Sequence, residues 1–414
     1  MENSTKILAL IFAVFFQQAM AQNNWAIYNT STSQMSDNRC YHINIDKNTG
    51  EKWFSTFAGG LVRYNGTNWT IYNTSNSTIP SNWIIESTID AVGNVWVATQ
   101  DGGVAKFDGN SFTVFNTGNS AIPTNEAWAI TADNSGKIWI GAGIGGLVLY
   151  NGATWTIFNT GNSNIPHNWV NSIAIDNSGN KWIATGGGGV AKFDGVNWTV
   201  FNSGNSNLPH NYCFAIYIDK LGKIWAGTQN GAAMYDGSVW TKFTTQNSQI
   251  PGSNVTGISE DSIGNKWFST VEGGVAKFDG LNWTIYNTVN SNLPDNYSEC
   301  ITVSPLNNVW VGTNSGGVAG TYEDVLSMKN SSNNDMVYSI YPNPFSNLSN
   351  VYISSKMNNG IIVISDANGK IIKNISVNNQ TKIIIDRNEL QSGIYFLTLN
   401  NNGNIMSSQK FVVR

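Results

Sequence analysis

From residue 25 to residue 322 the chain is a succession of short alternating segments, apolar and polar by turns, separated by Gly, Asn and Asp. Such alternation is the period of half-buried strands, and the separators are turn residues. One stretch shows the scheme. Ile173-Ala-Ile-Asp176 reads as a strand a, Asp176-Asn-Ser-Gly179 as a turn, and Lys181–Thr185 as strand b. A Gly pair leads into strand c, Gly189–Phe193, and the Asp194-Gly195 turn into strand d, Trp198–Phe201. Tight turns between consecutive segments predict an antiparallel four-stranded sheet.

This unit recurs. A tryptophan in strand b returns at Trp53, Trp96, Trp139, Trp182, Trp225, Trp267 and Trp310, and an aromatic opens strand d at Trp25, Trp69, Phe112, Trp155, Trp198, Trp240 and Trp283. The strand-b intervals are 43 residues, with one of 42. Four strands at this period predict a β-propeller blade. The array opens with a lone strand d (Trp25–Tyr28) and closes with strands a, b and c (Ile301–Val303, Val309–Thr313, Gly317–Tyr322). The first strand is therefore expected to complete the last blade, sealing a ring of seven blades with no open edge. The expected fold is all-β, a seven-bladed propeller followed by a small Ig-like sandwich.

Composition agrees. The 414 residues include 41 Gly and 16 Trp, and 12% are charged, with a formal net charge of −4. A sparse, slightly acidic charge set lacks the basic surface that nucleic-acid binding needs. Three cysteines exclude a disulfide framework. Cys40 and Cys300 fall on inner strands that closure makes neighbours, but the spacing of adjacent blades argues against a bridge.

The ends read as addresses. Lys6, the apolar run Ile7–Phe16 and Ala19-Met20-Ala21 form a signal-peptide pattern, with cleavage expected before Gln22. No other stretch is long and apolar enough to span a bilayer. The expected division is signal peptide 1–21, propeller 22–323, linker 324–335 and C-terminal domain 336–414. The last block holds strand-like runs at Val351–Ser355, Ile361–Asp366, Lys370–Val377, Lys382–Ile385, Ile394–Leu399 and Lys410–Val413. Its motifs Tyr341-Pro342-Asn343-Pro344-Phe345, ISDANGK (364–370), GIYFLTL (393–399, with Gly393 and Tyr395) and KFVVR (410–414, with Lys410) resemble the type A sorting domain of the type IX secretion system of Bacteroidetes. That resemblance implies export through the type IX machinery, to the medium or the outer cell surface. The repeat itself resembles the two-component-regulator propeller unit, as in Val309-Trp-Val-Gly-Thr313 followed by Gly316-Gly317. Relatives with that repeat are often sensor halves of hybrid kinases, but this chain shows neither a kinase nor a membrane span. Streptogramin-lyase-like propellers are more distant, and no catalytic motif of theirs transfers.

Candidate chemistry lies where repetition fails. The loops from d to a repeat closely (Asn202-Ser-Gly-Asn-Ser-Asn-Leu-Pro209) and read as turn architecture. Three residues beyond that Pro, or its equivalent, the blades instead carry Arg39, Trp83, Glu126, Trp169, Tyr212, Asn254 and Tyr297. Two and three positions further come Tyr41, His42, Glu86, Trp128, Phe214 and Glu299. Converging at the channel mouth, these would place aromatic faces for sugar C–H surfaces beside carboxylates and an Arg for hydroxyls. The expected site is thus Arg39, Trp83, Glu86, Glu126, Trp128, Trp169, Tyr212, Tyr297 and Glu299, taking a glycan or other small ligand. The same aromatics equally read as wedges between blades. A polysaccharide-acting or lyase-like enzyme, using the glutamates as acid and base, is the alternative function, and a protein-interaction scaffold a third. His167 and His210 read as loop residues, with no third ligand for a metal. No cofactor is expected, and the protein is expected to be monomeric.

Overall fold

The structure is a computed structural model describing residues 25–305, 307–321, 338–341, 343, 345, 347–353, 360–366, 370–387, 390–401 and 404–414. The proposed signal peptide and linker lie outside these residues, as do Pro342 and Pro344 of the sorting motif. The chain divides into two compact units between Thr321 and Tyr322.

The first unit holds seven four-stranded antiparallel sheets. The inner strands contact one another in chain order and the last contacts the first. Closure is as expected: Trp25–Tyr28 pairs with Val318–Thr321, Trp25 opposite Thr321, in one sheet with Val309–Thr313 and Ser298–Val303. The b, c and d strands begin or end within a residue of their expected positions, for example Lys181–Thr185, Val190–Phe193 and Trp198–Phe201.

Strand a departs from expectation. It runs Val170–Ile175 rather than Ile173–Asp176, and Ser298–Val303 rather than Ile301–Val303. The cause is a bulge near the start of the inner strand in six blades, between Cys40 and His42, Ile84 and Glu86, Val170 and Ser172, Cys213 and Ala215, Val255 and Gly257, and Ser298 and Cys300. An extra residue resets the in–out parity, so alternation breaks although the strand continues.

The ring is packed by aromatics. Each strand-b tryptophan is at most 6% exposed. It stacks on the aromatic ending its own strand d, from Trp53 on Tyr72 at 6.0 Å to Trp310 on Tyr28 at 5.5 Å across the seam. Its edge meets the next blade, as Trp96 meets Tyr150 at 5.9 Å. An aromatic of this size buries roughly 150–250 Å², about 4–6 kcal/mol of apolar transfer at most, and each tryptophan joins a cluster of buried residues from two adjacent blades, as Trp53 does with Ile84, Val97 and Phe107. The recurring Asp of the a–b turns does more than close the turn. Asp176 accepts hydrogen bonds from the amides of Ser178 and Asn180 and from the Trp182 indole at 3.0 Å. The same indole bond recurs at Asp90, Asp133, Asp219 and Asp261.

The second unit has two sheets. Tyr338–Tyr341, Leu348–Ile353 and Lys382–Asp386 form one; Ile371–Val377, Gly360–Asp366, Gly393–Asn401 and Asn404–Val413 form the other. The strand Tyr338–Tyr341, which overlaps the start of the sorting motif, was not expected, and Asn404–Val413 starts earlier than Lys410. A shared core of Ile340, Phe345, Val351, Ile362, Leu397 and Phe411 makes it a sandwich. Within it Phe345 and Tyr395 both stack on Phe411, and the Asn343 side chain accepts the Val412 amide at 2.8 Å.

Candidate functional site

The repeated loop is closed by its own side chains. In six of the seven blades the Asn just before the variable position accepts a loop amide, as Asn82 does from Thr74 and Asn168 from Thr160, both at 2.8 Å; Ser253 stands there before Asn254. The residue ahead of that Asn accepts the amide of the variable residue itself: Asp37 for Arg39, Ser81 for Trp83, Thr124 for Glu126, Asp295 for Tyr297. His167 and His210 are the same device, each taking the amide of Trp169 or Tyr212 on Nδ1 at 3.0 Å. Among the described residues no three His, Cys, Asp or Glu side chains stand close enough to hold a metal ion.

A second variable position is brought beside the first. The residue after strand b donates its amide to the variable residue's carbonyl: Phe57 to Arg39, Gln100 to Trp83, Gly186 to Trp169, Gln229 to Tyr212, Val271 to Asn254 and Asn314 to Tyr297, at 2.9–3.1 Å. Sequence reasoning missed Phe57 and Gln100. Their signal was available, because this position also varies between flanks that repeat.

These pairings assemble two clusters and a smaller pair. In the first, Arg39 donates from Nε to Glu299 at 2.8 Å across the closing seam. Its guanidinium lies over the rings of Tyr41 at 4.6 Å and Phe57 at 5.4 Å. Trp83 contacts Phe57 edge-on at 4.6 Å and stacks with Tyr41 at 6.4 Å. Burial raises the Glu299 carboxyl above its usual range, against the pull of Arg39, and raises the Tyr41 and Tyr297 hydroxyls. In the second cluster Glu126 accepts from the Trp128 indole at 2.8 Å and the Gln100 amide at 3.1 Å, and Trp128 packs on Trp169 at 5.5 Å. Tyr212 and Phe214 pair at 4.9 Å. All these aromatics are half-buried. Tyr41, Phe214 and Glu299 are the extra residues of their bulges, which turn them out of the regular ladder.

Glu86 and His42 do not join either cluster. Each stitches its inner strand to the next, Glu86 Oε2 accepting the Ile130 amide at 2.9 Å and His42 Nδ1 the Ser87 amide at 3.4 Å. Ser172 serves Ile216 in the same way. The His42 and Glu86 side chains face each other at 3.7 Å and keep 29% and 23% of their surface open. Enclosure in the ring nevertheless pushes the Glu86 carboxyl up to about 8 and the His42 imidazole down to about 4.

Cys40, Cys213 and Cys300 are free and buried. The Cys300 thiol lies 3.9 Å from the Cys40 carbonyl oxygen, so the two are neighbours across the seam without being bonded.

Residues 339–414 match the family model described as "Secretion system C-terminal sorting domain", and residues 207–230 match "Two component regulator propeller". No curated protein matches the sequence. Among solved structures, the extracellular domain of a protein described as a hybrid two component system from B. thetaiotaomicron superposes with a TM-score of 0.63 at 19% identity, over 94% of this chain and 57% of that one. PorZ, described as a surface component of the type-IX secretion system of Porphyromonas gingivalis, gives 0.57 at 17%, over 91% and 60%. A streptogramin B lyase gives 0.59 at 13%, over 72% and 97%. The chain thus spans less than two thirds of the first two proteins, and the likeness at this identity is one of fold. The fold and the two family matches together define a two-component-regulator-type propeller carrying a type IX sorting domain. Such a tail marks a secreted or cell-surface protein. No helix among the described residues is long and apolar enough to cross a membrane.

Proposed function

We propose that this protein is an exported binding module that takes a glycan or other small ligand at the loop end of its channel, delivered by the sorting domain through the type IX machinery after removal of residues 1–21. The division into propeller 22–323, linker 324–335 and tail 336–414 belongs to the same proposal, as does a monomeric state. What carries it is the convergence of half-buried aromatics with polar groups in two clusters, Arg39–Tyr41–Phe57–Trp83–Tyr297–Glu299 and Gln100–Glu126–Trp128–Trp169. Aromatic faces with a few fixed polar groups suit sugar rings. Recognition is favoured over cleavage because each candidate carboxylate already accepts a hydrogen bond within the fold: Glu86 from Ile130, Glu126 from Trp128 and Glu299 from Arg39.

The test is a binding screen of the mature chain against glycans and polysaccharides, with each mixture checked for cleavage products. Loss of binding in Trp83→Ala and Trp169→Ala at unchanged melting temperature supports the reading. Binding that survives both substitutions moves the ligand elsewhere, and product formation moves the protein to the enzyme class.

A further inference from the structure

The seam cluster carries a ligand class, and the argument rests on the reading of the channel mouth as a binding face. Arg39 spends only Nε on Glu299, at 2.8 Å. The rings of Tyr41 and Phe57 adjoin its guanidinium at 4.6 and 5.4 Å, and with their centroids 6.3 Å apart they lie on one side of it and not on opposite faces. Among the described residues neither Nη group, nor Glu299 Oε2, has a hydrogen-bond partner. The side chain of Arg39 is 32% exposed. The groups left unspent are therefore the two Nη amino groups and the carboxylate oxygen Oε2 of Glu299, whose side chain keeps 10% of its surface open, beside the rings of Tyr41, Phe57 and Trp83.

The surrounding charge selects among sugars. Asp37 lies under the turn, accepting the amides of Arg39 and Ala58, and Asp295 does the same for Tyr297 and Ser315. Three carboxylates, Asp37, Asp295 and Glu299, thus accompany one guanidinium. A uronate or sulfated sugar would meet a net negative field and would compete with Glu299 for Arg39. A neutral sugar has no such cost. One hydroxyl can donate to Glu299 Oε2 while accepting from Arg39, and the neighbouring hydroxyl can accept from the second Nη, which is the geometry of a vicinal diol on a charged fork.

We infer that the Arg39–Glu299 pair is a clamp for adjacent hydroxyls of a neutral sugar unit, with Trp83 as its apolar platform. The experiment uses the mature chain with neutral polysaccharides (mannan, β-glucan, galactan) and acidic ones (polygalacturonate, alginate), followed by calorimetry with oligosaccharides of any polymer that binds. The expected result is binding to a neutral polymer that persists at about 0.5 M salt, where surface charge attraction is largely screened. Glu299→Gln and Arg39→Met should each weaken it about tenfold or more, the scale of a hydrogen bond to a charged group. Should either variant fail to fold, the wild-type protein still decides, because a deoxy analogue lacking one hydroxyl of the pair should bind about tenfold more weakly. Binding to acidic polymers alone overturns the clamp and leaves the binding face standing. So does neutral binding that is lost in Trp83→Ala yet indifferent to Glu299→Gln and to the deoxy analogue. Absence of any binding removes the proposed function and the clamp together.

Discussion

The seventh blade lacks a bond that the second to sixth blades share, and supplying it should stabilise the ring. In the second to sixth blades an aspartate accepts the strand-b indole N–H at 3.0–3.3 Å. The seventh blade has Ser304 there; its hydroxyl accepts the Asn308 amide at 3.0 Å but leaves the Trp310 indole N–H buried without a partner. Ser304→Asp should keep the amide bond on one oxygen and take the indole on the other. Lys52, whose ammonium lies 4.9 Å above the Trp310 ring, stands as Lys266 stands over Trp225, and Lys266 reaches Asp219 at 3.3 Å. The new carboxylate would thus meet a neighbouring cation. Relieving a buried unsatisfied donor is worth about 1–3 kcal/mol, and the melting temperature of a domain this large should rise by roughly 2–4 °C per kcal/mol. Thermal unfolding of the mature chain followed by circular dichroism measures this. The same substitution in a Trp310→Phe background should yield nothing. An unchanged or lowered melting temperature in the Trp310 protein, or an equal gain in both backgrounds, refutes the reasoning.

Other outcomes follow from the same geometry. Glu86, raised to about 8 in the fold from an ordinary 4.5, keeps its proton while the unfolded chain loses it, so its contribution to stability falls as pH rises between those values. His42, lowered to about 4 from 6.5, acts oppositely below pH 6.5. The wild type should therefore lose stability between pH 6.5 and 8 and Glu86→Gln should not; parallel melting curves for the two would contradict this. Asp176→Ala removes the acceptor of four hydrogen bonds, one of them from a buried indole, and should cost about 2–4 kcal/mol in urea unfolding, whereas a cost under about 0.5 kcal/mol would deny the turn its anchoring role. A methyl at Gly312 would sit 2.5 Å from the Cys40 carbonyl oxygen and 2.6 Å from the Cys300 sulfur, so Gly312→Ala should lower the melting temperature. Burial places all three thiols out of reach, so titration should count none in the native protein and three after denaturation.

The ring was legible in the sequence because its determinants are local. Period, turn chemistry and the order of strands at the two ends are all properties of short segments, and they sufficed for blade number and closure. The channel mouth was legible as a set of positions, since Arg39, Trp83, Glu126 and Trp169 interrupt a repeat. Their contacts were not. Arg39 and Glu299 are 260 residues apart and meet only because the ring closes between them. Glu86 and His42 looked like site residues, yet their partners are main-chain amides of the next strand, and a free amide leaves no trace in sequence. The bulges hid in the same way, since one extra residue looks like broken alternation.

The pairing of Trp25 with Thr321 also decides how the ring bears load. Strand Trp25–Tyr28 leaves the sheet from the same end at which strand Val318–Thr321 does, so tension between the two chain ends acts across the ladder and not along it. Such a join peels rung by rung, from Trp25 opposite Thr321 toward Tyr28 opposite Val318. It resists heat through the stacked rings behind it, but a pull on its ends meets one pair of residues at a time.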